Sequence, residues 1–120
     1  MPKSDPEKPI YSLQYLCESS DGDEEFLKTM IGMFLENTPV ALKVLKDSLD
    51  QADWETMRQS AHKLRSHLRY FGMIEAAELT EEIERIATKN PEGQDLSVLL
   101  DKVASICQHC MRQLSEDFHL

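Results

Sequence analysis

Trp54, Met57, Ala61, Leu64, Leu68 and Phe71 are separated by 3, 4, 3, 4 and 3 residues. That spacing gathers six apolar side chains on one face of an α-helix, the seam by which a helix packs in an antiparallel bundle. A half-buried strand needs alternation with period two, and no stretch of this chain sustains it with β-branched residues. Helical spacing recurs in Leu27, Met30, Ile31, Phe34 and Leu35, in Leu42, Leu45 and Leu49, in Ala76, Leu79, Ile83 and Ile86, and in Leu96, Leu99, Val103, Ile106 and Cys110. The expected fold is all-α: an antiparallel four-helix bundle with short connections.

Punctuation places the ends of these helices. Asp23, followed by Glu24 and Glu25, reads as an N-cap with carboxylates in the first turn, and Asp53 and Asp95 read as the caps of two later helices. Gly72 marks a C-terminus. Asn90-Pro91-Glu92-Gly93 is a turn signal. Thr38-Pro39 reads as a restart, Thr38 as cap and Pro39 at the first helical position, giving either two helices or one helix with a bend near Pro39. A short helix is expected over residues 11–18, with Tyr11, Leu13, Tyr15 and Leu16 covering a bundle end. Residues 1–10, rich in proline, are expected to be a flexible leader, and residues 11–118 the bundle.

The 120 residues suit one domain, and 41% apolar content suffices for one core. With 13 Lys and Arg against 22 Asp and Glu, the formal charge is −9, which opposes binding to nucleic acid or to an anionic membrane surface. No run reaches the roughly 18 apolar residues of a membrane span. Three cysteines make no disulfide framework and fit a reducing, cytoplasmic location.

Within this acidic chain one segment departs from the average. No acidic residue lies between Glu55 and Glu75, whereas Arg58, Lys63, Arg65 and Arg69 do. At about 100° per residue, His62 projects roughly 140° from the centre of the apolar seam and is expected to be exposed. Arg58, Arg65 and Arg69 share its side of the helix, and Ser66, one turn on, leaves space beside it. An exposed imidazole among guanidiniums suits chemistry with a transferable anion, since neutral imidazole is a nucleophile and the cations can balance a phosphoryl group. A solvated face with a chance histidine is the blander alternative.

The run Ala61-His62-Lys63-Leu64-Arg65-Ser66-His67-Leu68-Arg69-Tyr70-Phe71-Gly72 resembles the signature of histidine-containing phosphotransfer (HPt) domains, A-H-x-L-K-G-S-(small)-x-x-(apolar)-G. Ala61, His62, Leu64, Phe71 and Gly72 match, and Arg65 stands where the family has Lys. The resemblance extends over residues 11–116. It implies a phosphorelay intermediate in which His62, through Nε2, accepts a phosphoryl group from a receiver-domain aspartate and passes it to another receiver. Arg65 then takes the family's cationic position, and Ser66 and Gly72 govern approach to the histidine; Arg69 and Arg58 are expected as further supports of the phosphate from their place on the helix, not from the family's pattern. The partners implied are receiver domains of response regulators or hybrid histidine kinases. No cofactor is expected in the bundle itself, because the receiver supplies Mg²⁺. The chain is then not an enzyme in its own right, and a monomer is expected.

Several positions depart from that signature. Ser66 replaces a glycine, and His67 and Leu68 replace small residues. His67 points roughly 140° from His62 and should not share a phosphate site. Ser66 and His67 favour the alternative of an adaptor that grips a receiver or kinase without being phosphorylated. Candidate docking residues are Phe26, Met30 and Met33, with Met73 at the far end of the His62 helix. Cys107-Gln108-His109-Cys110 offers metal ligands, but on one helical turn with no second cysteine pair, so packing is the expected role and no metal site is expected. Asp21-Gly22-Asp23 lacks the glycine and glutamate of a calcium loop.

Overall fold

Three aspartates start three of the helices. Asp23 Oδ1 accepts from the backbone N–H of Glu25 at 3.0 Å and of Phe26 at 3.3 Å. Asp53 Oδ1 accepts from Thr56 at 3.2 Å, and Asp95 Oδ1 from Val98 at 3.4 Å. Each side chain satisfies a donor that the first helical turn leaves without a partner. The computed structural model describes residues 10–89 and 95–120. Among them run α1 (Gln14–Ser19), α2 (Glu24–Gln51), α3 (Trp54–Tyr70), α4 (Ile74–Lys89) and α5 (Leu96–Phe118). The expected turn at 90–93 and all but the last residue of the expected leader lie outside the described residues; that last residue, Ile10, packs against the core.

Helix α3 packs on α2 and α4, and α5 closes the ring by packing on α4 and α2. Ala52 and Asp53 alone separate α2 from α3, and Phe71–Met73 alone separate α3 from α4, links so short that successive helices must run antiparallel. The all-α bundle with a short preceding helix is therefore as expected. No helix among the described residues is long and apolar enough to cross a membrane.

The core is built from Ile31, Phe34 and Leu45 of α2, Met57, Ala61, Leu64 and Leu68 of α3, Ala76, Ile83 and Ile86 of α4, and Leu96, Val103, Cys110 and Leu114 of α5. Burying a side chain of Leu, Ile or Met size contributes about 1.5–3 kcal/mol each. On α5 the sequence pattern is partly corrected. Leu100 and Cys107 are buried, whereas Leu99 and Ile106 are only half-buried at the edge of the core.

Thr38 is not a cap. It is a buried residue inside α2, which runs unbroken through Pro39. Of the two arrangements expected there, the single helix is the one formed. Proline inside a helix removes one hydrogen bond and costs about 3 kcal/mol, but Pro39 is on the exposed face. The buried face formed by Ile31, Phe34, Thr38 and Leu45 continues past it and offsets that cost.

The N-terminal segment is tied to the far end of α3. The Ser12 N–H donates to the Phe71 carbonyl at 2.8 Å, Leu16 is buried, and the Tyr11 hydroxyl donates to an Asp117 carboxylate oxygen at the end of α5. Burial and that carboxylate push the Tyr11 phenol up from its ordinary value.

Candidate functional site

The seam of α3 is buried as its spacing requires, and this turns His62 outward, with its side chain 56% exposed. Its Nδ1 faces α4. Glu84 Oε2, on α4, lies 3.0 Å from Nδ1, and Arg65 Nη2 lies 3.2 Å from the same nitrogen. With Nδ1 occupied, Nε2 is the ring nitrogen left for chemistry.

The arginines around His62 are themselves paired with carboxylates. Arg65 Nη1 lies 3.5 Å from Glu81 Oε2 and 3.6 Å from Glu84 Oε1. Arg69 Nη2 donates to Glu81 Oε1 at 3.1 Å. Arg58 pairs within α3, its Nη2 2.6 Å from Glu55 Oε2, and hydrogen bonding to Arg58 holds the Glu55 carboxyl below the usual carboxylate range. The acid-free run on α3 is thus matched by carboxylates from α4, the helix packed beside it. The Arg69–Glu81 pair, about half exposed on both sides, is worth about 0.2–1 kcal/mol and can exchange partners. Glu81 and Glu84 are the site residues that sequence reasoning missed. The signal available was a pair of acids three apart on α4, facing arginines four apart on α3.

Gly72 does not belong to this site. It comes ten residues after His62, about 15 Å along a helix rise of 1.5 Å per residue. Its φ is +66°, and a Cβ there would lie 2.6 Å from the Ser12 Cβ and 2.8 Å from the Ser12 backbone nitrogen. The missing side chain makes room for the N-terminal segment. Ser66 is half-buried one turn beyond His62.

A family model described as Hpt domain matches residues 29–117, which takes in most of α2, α3 with His62, α4 and nearly all of α5. The chain belongs to the Hpt domain family. No curated protein and no solved structure matches it. Hpt domains take part in histidine phosphotransfer in phosphorelay signalling, as carriers that exchange the group with receiver domains or kinases.

For this Hpt domain, the surface on the α2 side of α3 is the apolar one. Tyr70 and Met33 are 42% and 49% exposed, and with Met30, Phe34, Asn37 and His67 they line one shallow cleft. Tyr15 of α1 stacks on Tyr70 with ring centroids 5.3 Å apart. Phe26, one turn before Met30, is also exposed. His67 faces this cleft, away from Glu84 and the Nδ1 of His62. Met73, by contrast, is buried and presents nothing to a partner.

The cysteine pair read from the sequence is packed into the core. Cys107 and Cys110 are buried free thiols, each pushed up to about 12 by burial. Among the described residues no group of three His, Cys, Asp or Glu could hold a metal ion. Asp23 is occupied in capping α2.

Proposed function

We propose that this chain carries a phosphoryl group on His62 Nε2, taking it from the aspartate of one receiver domain and giving it to the aspartate of another. The observation that supports this reading is the setting of the ring: the His62 side chain is 56% exposed and its Nδ1 lies 3.0 Å from Glu84, which leaves Nε2 for the phosphoryl group. With Nδ1 protonated and donating to Glu84, the Nε2 lone pair attacks phosphorus. The N–P bond forms as the P–O bond to the aspartyl group breaks, and the aspartate leaves as carboxylate. The ring's positive charge is shared through Nδ1–H with Glu84. The reverse transfer runs along the same coordinates.

Arg65 and Arg69 can turn from Glu81 toward the phosphoryl oxygens, where charge-assisted hydrogen bonds are strong. Arg58, paired to Glu55, is the more remote support. Ser66 keeps the ground beside His62 low enough for a receiver's backbone. The receiver would carry the Mg²⁺ that balances charge on the transferring group, so that catalysis is positioning and electrostatics shared across the interface. The receiver would dock on the Tyr15, Phe26, Met33 and Tyr70 surface, an exposed apolar area of the kind that marks interaction sites. Free thiols fit a cytoplasmic carrier, and a monomer leaves this face open.

The test uses a receiver domain charged with labelled phosphate on its aspartate. The chain should acquire an acid-labile, base-stable label and lose it to a second receiver, and His62→Gln should stay folded and unlabelled. Full labelling of His62→Gln would falsify the assignment.

A further inference from the structure

Nδ1 of His62 has two neighbours that make opposite demands on it. Glu84 Oε2, at 3.0 Å, only accepts, so this contact requires a proton on Nδ1. Arg65 Nη2, at 3.2 Å, only donates, so that contact requires an unprotonated Nδ1. A neutral imidazole satisfies one at a time, and the choice decides whether Nε2 has a lone pair or a proton. Only the Nδ1–H tautomer leaves Nε2 nucleophilic.

The position of Arg65 therefore bears on which tautomer the ring adopts. Its Nη1 is suspended between two carboxylates, 3.5 Å from Glu81 and 3.6 Å from Glu84, beyond good hydrogen-bond distance for either. Glu84 Oε1 and Arg65 Nε are both buried without a hydrogen-bond partner, so a closer union of these two side chains is open to them. Glu81 opposes it. Fixed at Oε1 by Arg69 at 3.1 Å, it draws Arg65 along α4 in the other direction.

We propose that Glu81 is a positioning residue that sets the tautomer of His62, by holding Arg65 off Glu84 so that Glu84 keeps the Nδ1 proton and Nε2 keeps its lone pair. This rests on His62 being the phosphoacceptor and adds the control of its readiness. Without the Glu81 charge, Arg65 moves onto Glu84 and toward Nδ1. Both movements favour the proton on Nε2.

The experiment reads the two ring nitrogens of His62 by ¹⁵N NMR on the full chain, at a pH where the imidazole is neutral. The same samples are then assayed with phosphoramidate, which places its phosphoryl group on an imidazole nitrogen with ammonia leaving. In the wild type, Nδ1 should show the protonated-nitrogen shift and Nε2 the unprotonated one. In Glu81→Gln the two shifts should move toward each other, and the initial rate of labelling should fall by the same factor as the Nδ1–H fraction, since only that fraction reacts. Glu81→Gln combined with Arg65→Met should return the wild-type shifts, a rescue that a merely structural role for Glu81 would not give. Unchanged shifts in Glu81→Gln, a failure of that rescue, or a wild type already protonated on Nε2 would overturn the proposal. If the shifts respond as described and the wild type takes no label, the phosphoacceptor reading fails while the control of the tautomer stands.

Discussion

Glu84 Oε2 lies 3.0 Å from His62 Nδ1 across the α3–α4 interface, 22 residues away in the chain. The Glu84 side chain is only 20% exposed, so its charge acts on the imidazole with less screening than a surface carboxylate would have. If His62 is the phosphoacceptor, as proposed, Glu84 would orient the ring and stabilise the positive charge that phosphorylation places there. Glu84→Ala should slow phosphoryl uptake from phosphoramidate by about tenfold to a hundredfold, the range found when the carboxylate that orients a metal-bound histidine is lost. Glu84→Gln, which keeps an accepting oxygen without the charge, should fall between. A rate in Glu84→Ala equal to the wild type would remove Glu84 from the mechanism.

The docking face should respond separately from the histidine. Met33 and Tyr70 come from different helices and line one cleft, with Tyr15 stacked on its rim. Replacing both Met33 and Tyr70 with alanine should weaken receiver binding by about tenfold or more, since exposed aromatic and Met anchors each contribute on the order of 1 kcal/mol. Lys102→Ala, on α5 across the bundle from α3, should leave it unchanged. Titration calorimetry with one receiver decides, and equal affinities in all three proteins would place the docking surface elsewhere.

How much of this was legible in the sequence follows from the range of each interaction. The α3 seam, the aspartate caps and the outward turn of His62 depend on spacing within one helix, and the sequence states them directly. The Thr38-Pro39 signal left two arrangements open and wrongly suggested a cap at Thr38, because the buried face of α2 runs on past Pro39 and outweighs one lost hydrogen bond. Leu99 and Leu100, like Ile106 and Cys107, are adjacent apolar residues whose order of burial is set by how α5 leans on α4 and α2. Glu81 and Glu84 were missed for a related reason: their pairing with Arg65 and His62 depends on the register between two helices, which neither helix carries alone.

Gly72 carries a prediction about stability. Its φ of +66° disfavours any residue with a side chain, and the space a Cβ would need is held by Ser12, whose N–H bonds to Phe71. Gly72→Ala should cost about 1–3 kcal/mol, which lowers the melting temperature by about 4 °C for each kcal/mol in a domain of this size. The Ser12 contact should loosen with it, so the amide of Ser12 should lose hydrogen-exchange protection. A melting temperature within error of the wild type would show that the N-terminal segment does not need this approach.

The buried thiols give the chain a dependence on alkaline pH whose sign is fixed. Burial pushes Cys107 and Cys110 up to about 12 from an ordinary value of 9.0, so between those values the native state keeps protons that the unfolded chain releases. The unfolded state then binds fewer protons, and stability falls as pH rises. What burial of these two thiols contributes is complete below pH 9 and is lost progressively toward pH 12. Urea midpoints should therefore decline from about pH 9 upward, less steeply in Cys107→Ala when each protein is compared with its own midpoint at pH 8. The same burial blocks thiolate chemistry, since the thiolate is the nucleophile. At pH 8 a disulfide reagent should react with the half-buried Cys17 first, and with Cys107 and Cys110 only when urea opens the bundle. Three equally fast thiols in the native protein would mean that α5 opens far more readily than a helix packed against both α4 and α2 should.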